Sequence, residues 1–164
     1  MNKKEKYRFK EYDAALPARF EKEKKKLLLF LPFAEIHHFG STAVPGLGGK
    51  GILDIIVFVE KRRLSSAKKI LEKKYELRPK ACTGERIFFR KDFVLRKEKN
   101  RMHLHLTADK RELENALRFR DVLRSNVYLR REYSMIKRNA AKKAGGDGVI
   151  YRSMKEKFIG AALD

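Results

Sequence analysis

Between Tyr12 and Phe30, apolar residues at Leu16, Phe20, Leu27 and Leu28 recur among charges at helical intervals, which predicts a first helix with Pro17 near its start. Ala34 to Phe39 reads as a strand running into a loop. The following stretch, Ser41 to Gly51, holds four glycines and Pro45, too many breakers for a long regular element. Ile52 to Glu60 is rich in Ile, Val and Phe, the pattern of a strand buried on both faces, with Asp54 as its polar outlier. Helical spacing returns over Ser65 to Tyr75 through Ala67, Ile70, Leu71 and Tyr75. Glu85 to Arg90 and Asn100 to Leu106 alternate with period two, as half-buried strands do. In the last third Leu113, Leu117, Leu129, Tyr133, Ile136, Ala140, Ile150, Met154, Phe158 and Ala161 imply three helices, broken near Ser125-Asn126 and Gly145-Gly146. The mostly charged Met1 to Lys6 predicts a frayed start.

This order of elements points to an α/β or α+β sheet. At 164 residues, with no solenoid-length repeat and no low-complexity linker, the expectation is a single domain. Its helices from about residue 110 to 164 would pack on the sheet.

Composition narrows the partners. Hydrophobic residues at 43%, among them eleven Phe and six Tyr, supply a core despite 38% charged residues. The single Cys82 cannot form an internal disulfide and no secretory pattern opens the chain, so the expected compartment is the cytoplasm. The longest apolar run, Ile52 to Val59, is interrupted by Asp54 and falls far short of the roughly 20 residues of a membrane helix, which argues against membrane insertion. A net charge of +20 favours anionic partners: a nucleotide or phosphorylated small molecule, with RNA a further candidate. The competing account is a lysine-rich surface arising from solubility or heat adaptation. No oligomer seam stands out.

Two familiar phosphate motifs fail on context. Gly46-Leu47-Gly48-Gly49-Lys50-Gly51 matches G-x-G-x-x-G, but it leads into a strand where a dinucleotide fingerprint leaves one. Gly49-Lys50 is similar to a P-loop, yet Gly51 stands where Ser or Thr must meet magnesium, and Val44 where the first Gly belongs. What remains is Gly40-Ser41 followed by Asp54 in an apolar strand. Loop amides and hydroxyls there suit phosphates beside a metal-binding carboxylate. The spacing matches the nucleotidyltransferase superfamily pattern, except that its second carboxylate position is Ile56.

The whole chain from about residue 10 to 162 resembles the GrpB family, a group assigned to the nucleotidyltransferase fold. The carriers are His38-Phe39-Gly40-Ser41-Thr42-Ala43-Val44-Pro45-Gly46-Leu47, then Lys50 with Ile52-Leu53-Asp54, then Arg101-Met102-His103-Leu104-His105, and Phe119-Arg120-Asp121-Val122-Leu123-Arg124. Tyr133 with Lys137 and Tyr151 with Lys155 complete the series. His37 departs from a frequent Glu and Gly51 from a frequent Pro; the first would change the charge of the site. The resemblance implies a nucleotidyltransferase-like mixed β-sheet flanked by helices, with a helical C-terminal third.

Alternation puts Arg101, His103 and His105 on one strand face, and Arg86 and Arg90 could line a neighbouring strand. Beside Asp54 the two imidazoles would serve as general base, phosphate donors or metal ligands, including a two-His, one-carboxylate metal set. Taken alone they read as strand histidines satisfied by backbone or Asp partners, and it is the family resemblance that favours a place in a site. Arg118, Arg120 and Arg124 share a helix on which Arg could fork onto a phosphate or pair with Asp121. The Tyr133/Lys137 and Tyr151/Lys155 pairs each occupy one helix face, as nucleotide clamps or as core tyrosines with solvated lysines.

With the resemblance, the expected phosphate or nucleotide contacts are His38, Gly40, Ser41, Thr42, Lys50, Arg86, Arg101, Arg120, Lys137 and Lys155. Asp54 would hold magnesium, with manganese as the alternative, and Asp54, His103 and His105 form the expected catalytic set. The implied reaction is nucleotidyl transfer to a hydroxyl. The alternative is a catalytically degenerate accessory module that senses nucleotide or binds RNA.

Overall fold

A computed structural model describes residues 9–84, 86–145 and 147–163 of the chain. The expectation for Met1 to Lys6 lies outside these residues, as does Glu85 at the start of one expected strand.

Helix α1 (Leu16–Phe30) opens the fold with Pro17 in its first turn, and Asp13 Oδ1 accepts from the amide of Ala15 just before it. Among the described residues five strands follow: β1 (Glu35–Phe39), β2 (Leu53–Phe58), β3 (Glu76–Leu77), β4 (Ile87–Leu95) and β5 (Glu98–Thr107). Helix α2 (Leu64–Glu72) lies between β2 and β3. The sheet order is β1-β2-β5-β4-β3, and it is mixed: β2 runs parallel to β5, while the other neighbours are antiparallel.

After β5 the described residues form three helices, α3 (Lys110–Ser125), α4 (Val127–Ala144) and α5 (Gly148–Leu163). Their boundaries fall at the expected breaks for identifiable reasons. Asp109 caps α3 through the amide of Arg111, and Asn126 caps α4 through the amides of Tyr128 and Leu129. Gly145, at φ 51°, closes α4 in the left-handed conformation that glycine adopts without a Cβ penalty.

The β4–β5 hairpin is longer than the alternation predicts. Its turn residues Arg96 and Lys97 both have positive φ, at 50° and 64°. Such turns normally carry Asn or Gly, so nothing in these two cations advertised a hairpin. Glu76–Leu77 is too short to leave a periodic signal.

The two sheet faces are unlike. On one, Leu53, Ile55, Val57, Phe89, Met102, Leu104 and Leu106 are fully buried with Leu27 and Leu31 of the α1 segment and Ala67 and Leu71 of α2. On the other, α3 packs against β1, β2 and β5, and α4 and α5 pack on α3 and on each other. That second face holds Asp54, His103 and His105.

Candidate functional site

Strand register brings the polar residues together. In the parallel β2–β5 pair Asp54 sits beside His103 and Ile56 beside His105, while Phe39 of β1 lies opposite Asp54 and Phe88 of β4 opposite His105. All share a face because pleated side chains alternate. His103 Nδ1 lies 3.4 Å, and His105 Nε2 3.7 Å, from Asp54 Oδ1. Phe88 meets both imidazoles edge-on, at 4.8 Å from His103 and 4.9 Å from His105, and Phe39 meets His105 at 5.0 Å. These rings hold the imidazole planes in place. Burial alone would raise the Asp54 pKa, but the two imidazoles outweigh it and hold the carboxyl well below the usual range. Burial pushes the His105 pKa down, against the opposing pull of Asp54.

The glycines of the preceding loop are explained by close approach. Gly40 has φ 71° and ψ −171°, a region essentially reserved for glycine, and a Cβ there would lie 2.7 Å from Asp54 Oδ2. The loop backbone therefore rests directly on the carboxylate. At Gly49 a Cβ would meet Ser41 Oγ at 2.7 Å and Lys137 Nζ at 2.9 Å. Lys137 Nζ donates to the carbonyl of Gly48, tying α4 to the glycine-rich segment.

Above the strands, the helices supply positive charge and aromatic rings. A cleft of about 590 Å³ is lined by Ser41, Lys50, Asp54, Arg86, His103 and His105 from the sheet side, and by Tyr133, Lys137, Tyr151 and Lys155 from α4 and α5. The i to i+4 pairs share faces as expected. Lys137 lies 4.9 Å from the Tyr133 ring, and Lys155 lies 4.9 Å from that of Tyr151, which Lys50 also approaches at 4.4 Å. Burial, reinforced by Lys155, lowers the Lys137 pKa to about 7. Burial lowers that of Lys155 as well. Closely grouped ammonium ions in a recess lose protons unless an anion joins them.

Not every expected residue reaches this cleft. His38 points to the opposite face, where it stacks on Phe20 at 5.0 Å. Its Nε2 donates to Thr42 Oγ1 at 2.9 Å, because that hydroxyl in turn donates to the Ile52 carbonyl at 3.0 Å. Both side chains brace the loop from behind. Arg120 donates to the His38 carbonyl and pairs with Asp121, and Arg124 donates to the Ala43 carbonyl, so these arginines fasten α3 to the loop. Arg120, Arg124, His37 and His38 line a separate hollow of about 370 Å³ at the β1 edge. His37 pairs there with Glu35 at 2.7 Å, so this departure from the family pattern lies outside the cleft. Arg101 shares the face of His103 but forks onto Asp92, one row beyond the cleft. Arg90 pairs with Glu76.

Other cleft residues went unread in the sequence. Glu112, Asn115, Ala116 and Phe119 form an α3 stripe at intervals of three, one and three residues. That helical spacing was the available signal, but its mixed chemistry does not look like one face. Glu112 accepts from Thr107 Oγ1 at 2.9 Å and lies 3.4 Å from Arg86 Nε.

These features can be set beside known proteins. A model of the family described as GrpB protein matches residues 6–164. The chain belongs to the GrpB family. Its relatives in GrpB include the Glutamate-rich protein GrpB of Alkalihalophilus pseudofirmus, 30% identical across 88% of this chain and 87% of that protein. A UPF0157 protein of Vibrio cholerae serotype O1 is 30% identical across 96% of this chain and 80% of its own length. The crystal structure of conserved protein GrpB from Enterococcus faecalis superposes with a TM-score of 0.73 at 23% identity, covering 96% of this chain and all of that one. The non canonical poly(A) polymerase complex GLD-2 – GLD-3 matches with a TM-score of 0.51 and 13% identity, over 76% of this chain and 44% of that chain. The GrpB fold is accordingly nucleotidyltransferase-like, a mixed sheet flanked by helices.

The carboxylate pair of that fold's pattern is incomplete here. Ile56, where the second carboxylate would stand beside Asp54, is fully buried. The Glu112 carboxylate is engaged by Thr107 and Arg86. A two-magnesium arrangement on paired carboxylates does not fit the side chains present.

Proposed function

We propose that this GrpB-family chain binds a nucleoside triphosphate, or another ligand with several phosphates, in the cleft above Asp54. The observation that carries the reading is the grouping of Lys50, Lys137 and Lys155 around two tyrosine rings over one recess that also holds Ser41 and Arg86. A polyphosphate would favour the protonated form of Lys137, whose pKa burial lowers to about 7, and would oppose the burial that lowers that of Lys155, while Tyr133 or Tyr151 offers a ring against which a base can stack. Asp54, with His103 and His105 beside it, would hold the divalent cation through which a carboxylate can face a polyphosphate. The buried Ile56 favours a second reading, in which the same pocket senses a nucleotide without turning it over. RNA as a ligand or acceptor is supported by the net charge of +20.

Calorimetric titration with ATP, GTP, UTP, CTP and inorganic triphosphate tests binding. Lys50→Ala and Lys155→Ala should each weaken it by about tenfold or more, the usual worth of a hydrogen bond to a charged group. Unchanged affinity in both variants rejects the cleft as the binding site. Incubation with labelled triphosphates, divalent cations and cellular RNA then separates transfer from sensing. Pyrophosphate release that Asp54→Asn abolishes supports transfer, and tight binding with no release supports sensing. RNA binding should weaken steeply between low and moderate salt. If it does not, the charge is a surface property.

A further inference from the structure

The spacing of Asp54, His103 and His105 has no satisfactory account as hydrogen bonding. Charge-assisted N–H···O contacts run about 2.7–2.9 Å. Here the two imidazole nitrogens stand 3.4 and 3.7 Å from the same carboxylate oxygen, Asp54 Oδ1. Among the described residues, neither ring nitrogen of His105 has a hydrogen-bond partner, although the residue is buried. Unsatisfied polar atoms in such a place call for a missing partner. The three residues offer one ligand atom each, all within 4.8 Å of one another.

Those separations suit a shared ion better than a direct contact. Ligands bound at about 2.0–2.1 Å in a tetrahedral shell lie about 3.3 Å apart, near the 3.4 and 3.7 Å that separate the two imidazoles from Asp54 Oδ1. The donors come from adjacent strands of one sheet, and Phe39 and Phe88 hold the rings. An ion seated on them would keep its remaining positions open toward the lysine-lined cleft.

We propose that Asp54, His103 and His105 form a binding site for one divalent first-row transition metal, of the zinc, iron or cobalt type, in place of the magnesium expected from the fold. Two imidazole nitrogens and one carboxylate are a nitrogen-rich set. Magnesium prefers oxygen ligands in near-ideal octahedra, whereas imidazole suits zinc, iron, nickel and copper. Ile56 enforces this choice by occupying with an apolar side chain the position from which a second carboxylate would favour a harder ion. The proposal concerns the same cleft as the nucleotide reading but does not need a nucleotide to be bound.

The test uses the full chain, stripped with a chelator and without nucleotide. Cobalt(II) titration followed by visible absorption should give one ion per chain, displaced by zinc and not by a hundredfold excess of magnesium. His103→Ala and His105→Ala should each weaken cobalt binding by at least about tenfold, while His37→Ala leaves it unchanged. Unmutated protein supplies an arm independent of folding: imidazole nitrogen resonances of His103 and His105, but not of His37 and His38, should shift with one equivalent of zinc. Equal binding of magnesium and cobalt, or zinc shifts confined to His37 and His38, overturns the site. Metal binding without nucleotide affinity leaves this proposal standing and removes the proposed function. Nucleotide affinity with no transition-metal binding does the reverse.

Discussion

The two faces of the sheet are made by the same strands and do opposite work. On the α1–α2 face, Leu53, Ile55 and Val57 of β2 meet Met102, Leu104 and Leu106 of β5 in a fully buried apolar layer. One residue out of phase, the other face carries Asp54, His103 and His105, which together with the lysines of α4 and α5 face a cleft. Even the buried charge differs in kind. Glu23, inside the apolar face, accepts from Tyr75 Oη at 2.7 Å and pairs with Arg19 at 3.0 Å. Asp54 has partners at longer range and a loop backbone pressed against it. The Glu23 charge is enclosed among apolar side chains with its partners; the Asp54 charge borders a recess.

The largest expected effect probes the first face. Glu23→Ala leaves buried Tyr75 Oη and half-buried Arg19 without their partner and should cost about 3 kcal/mol in chemical denaturation, while leaving phosphate affinity unchanged in folded protein. Loss of affinity in a folded variant would break the division between faces.

A titration separates the faces next. His38 is buried against Phe20, and burial lowers its pKa to about 4. Between pH 6.5 and 4 the unfolded chain therefore binds a proton that the native chain excludes. Stability from this group is complete above pH 6.5 and falls as pH drops through 4, by about 3 kcal/mol from the size of the shift. Urea denaturation at pH 7 and pH 4 measures it, and His38→Gln should remove that part of the slope.

Smaller again is Gly40→Ala, which combines a left-handed backbone with a clash at Asp54 Oδ2 and should cost about 1–3 kcal/mol. Unlike Glu23→Ala, it should also impair binding in the cleft, because the loop must retreat from the carboxylate. A variant that binds normally would separate the loop from the site.

The smallest effect sharpens the second face. With its pKa lowered to about 7, Lys137 is losing its proton just where phosphates would need it. Triphosphate affinity should decline a few-fold from pH 6 to 8.5, and binding at pH 7.5 should take up a proton, seen as a buffer-dependent heat. In the free chain the sign is opposite. The unfolded Lys137 holds its proton up to about 10.5, so this group makes stability rise with pH across that window. Lys137→Met should flatten both trends.

Much of this arrangement was legible before the fold was known. Asp54 was conspicuous because a carboxylate inside an apolar run has few uses. His103 and His105 were placed on one face by alternation alone, and the helix-spaced Tyr–Lys pairs do lie on shared faces. His38, Thr42 and Arg120 resisted reading for a common reason. They belong to the same loop and helix motifs as the cleft residues, but strand parity turns His38 to the back, and Thr42 and Arg120 spend their polar atoms on backbone carbonyls. Arg101 has the right parity and the wrong row, and Asp92 claims it.

The sequence by itself determined the helices, the apolar strands, the helix breaks and the presence of a lone carboxylate behind a Gly-Ser loop, but not the short β3 or the β4–β5 turn, because only the former follow from local periodicity, capping chemistry or turn residues. Only the tertiary structure decided that β2 lies parallel to β5, in the register that sets Asp54 beside His103 and Ile56 beside His105. Strand pairing between residues fifty positions apart depends on how two apolar faces fit together, and no local pattern encodes it. The same holds for the cleft. Lys50, Lys137 and Lys155 are ordinary lysines along the chain, and only folding gathers them around one cleft, where burial lowers the pKa of Lys137 and of Lys155.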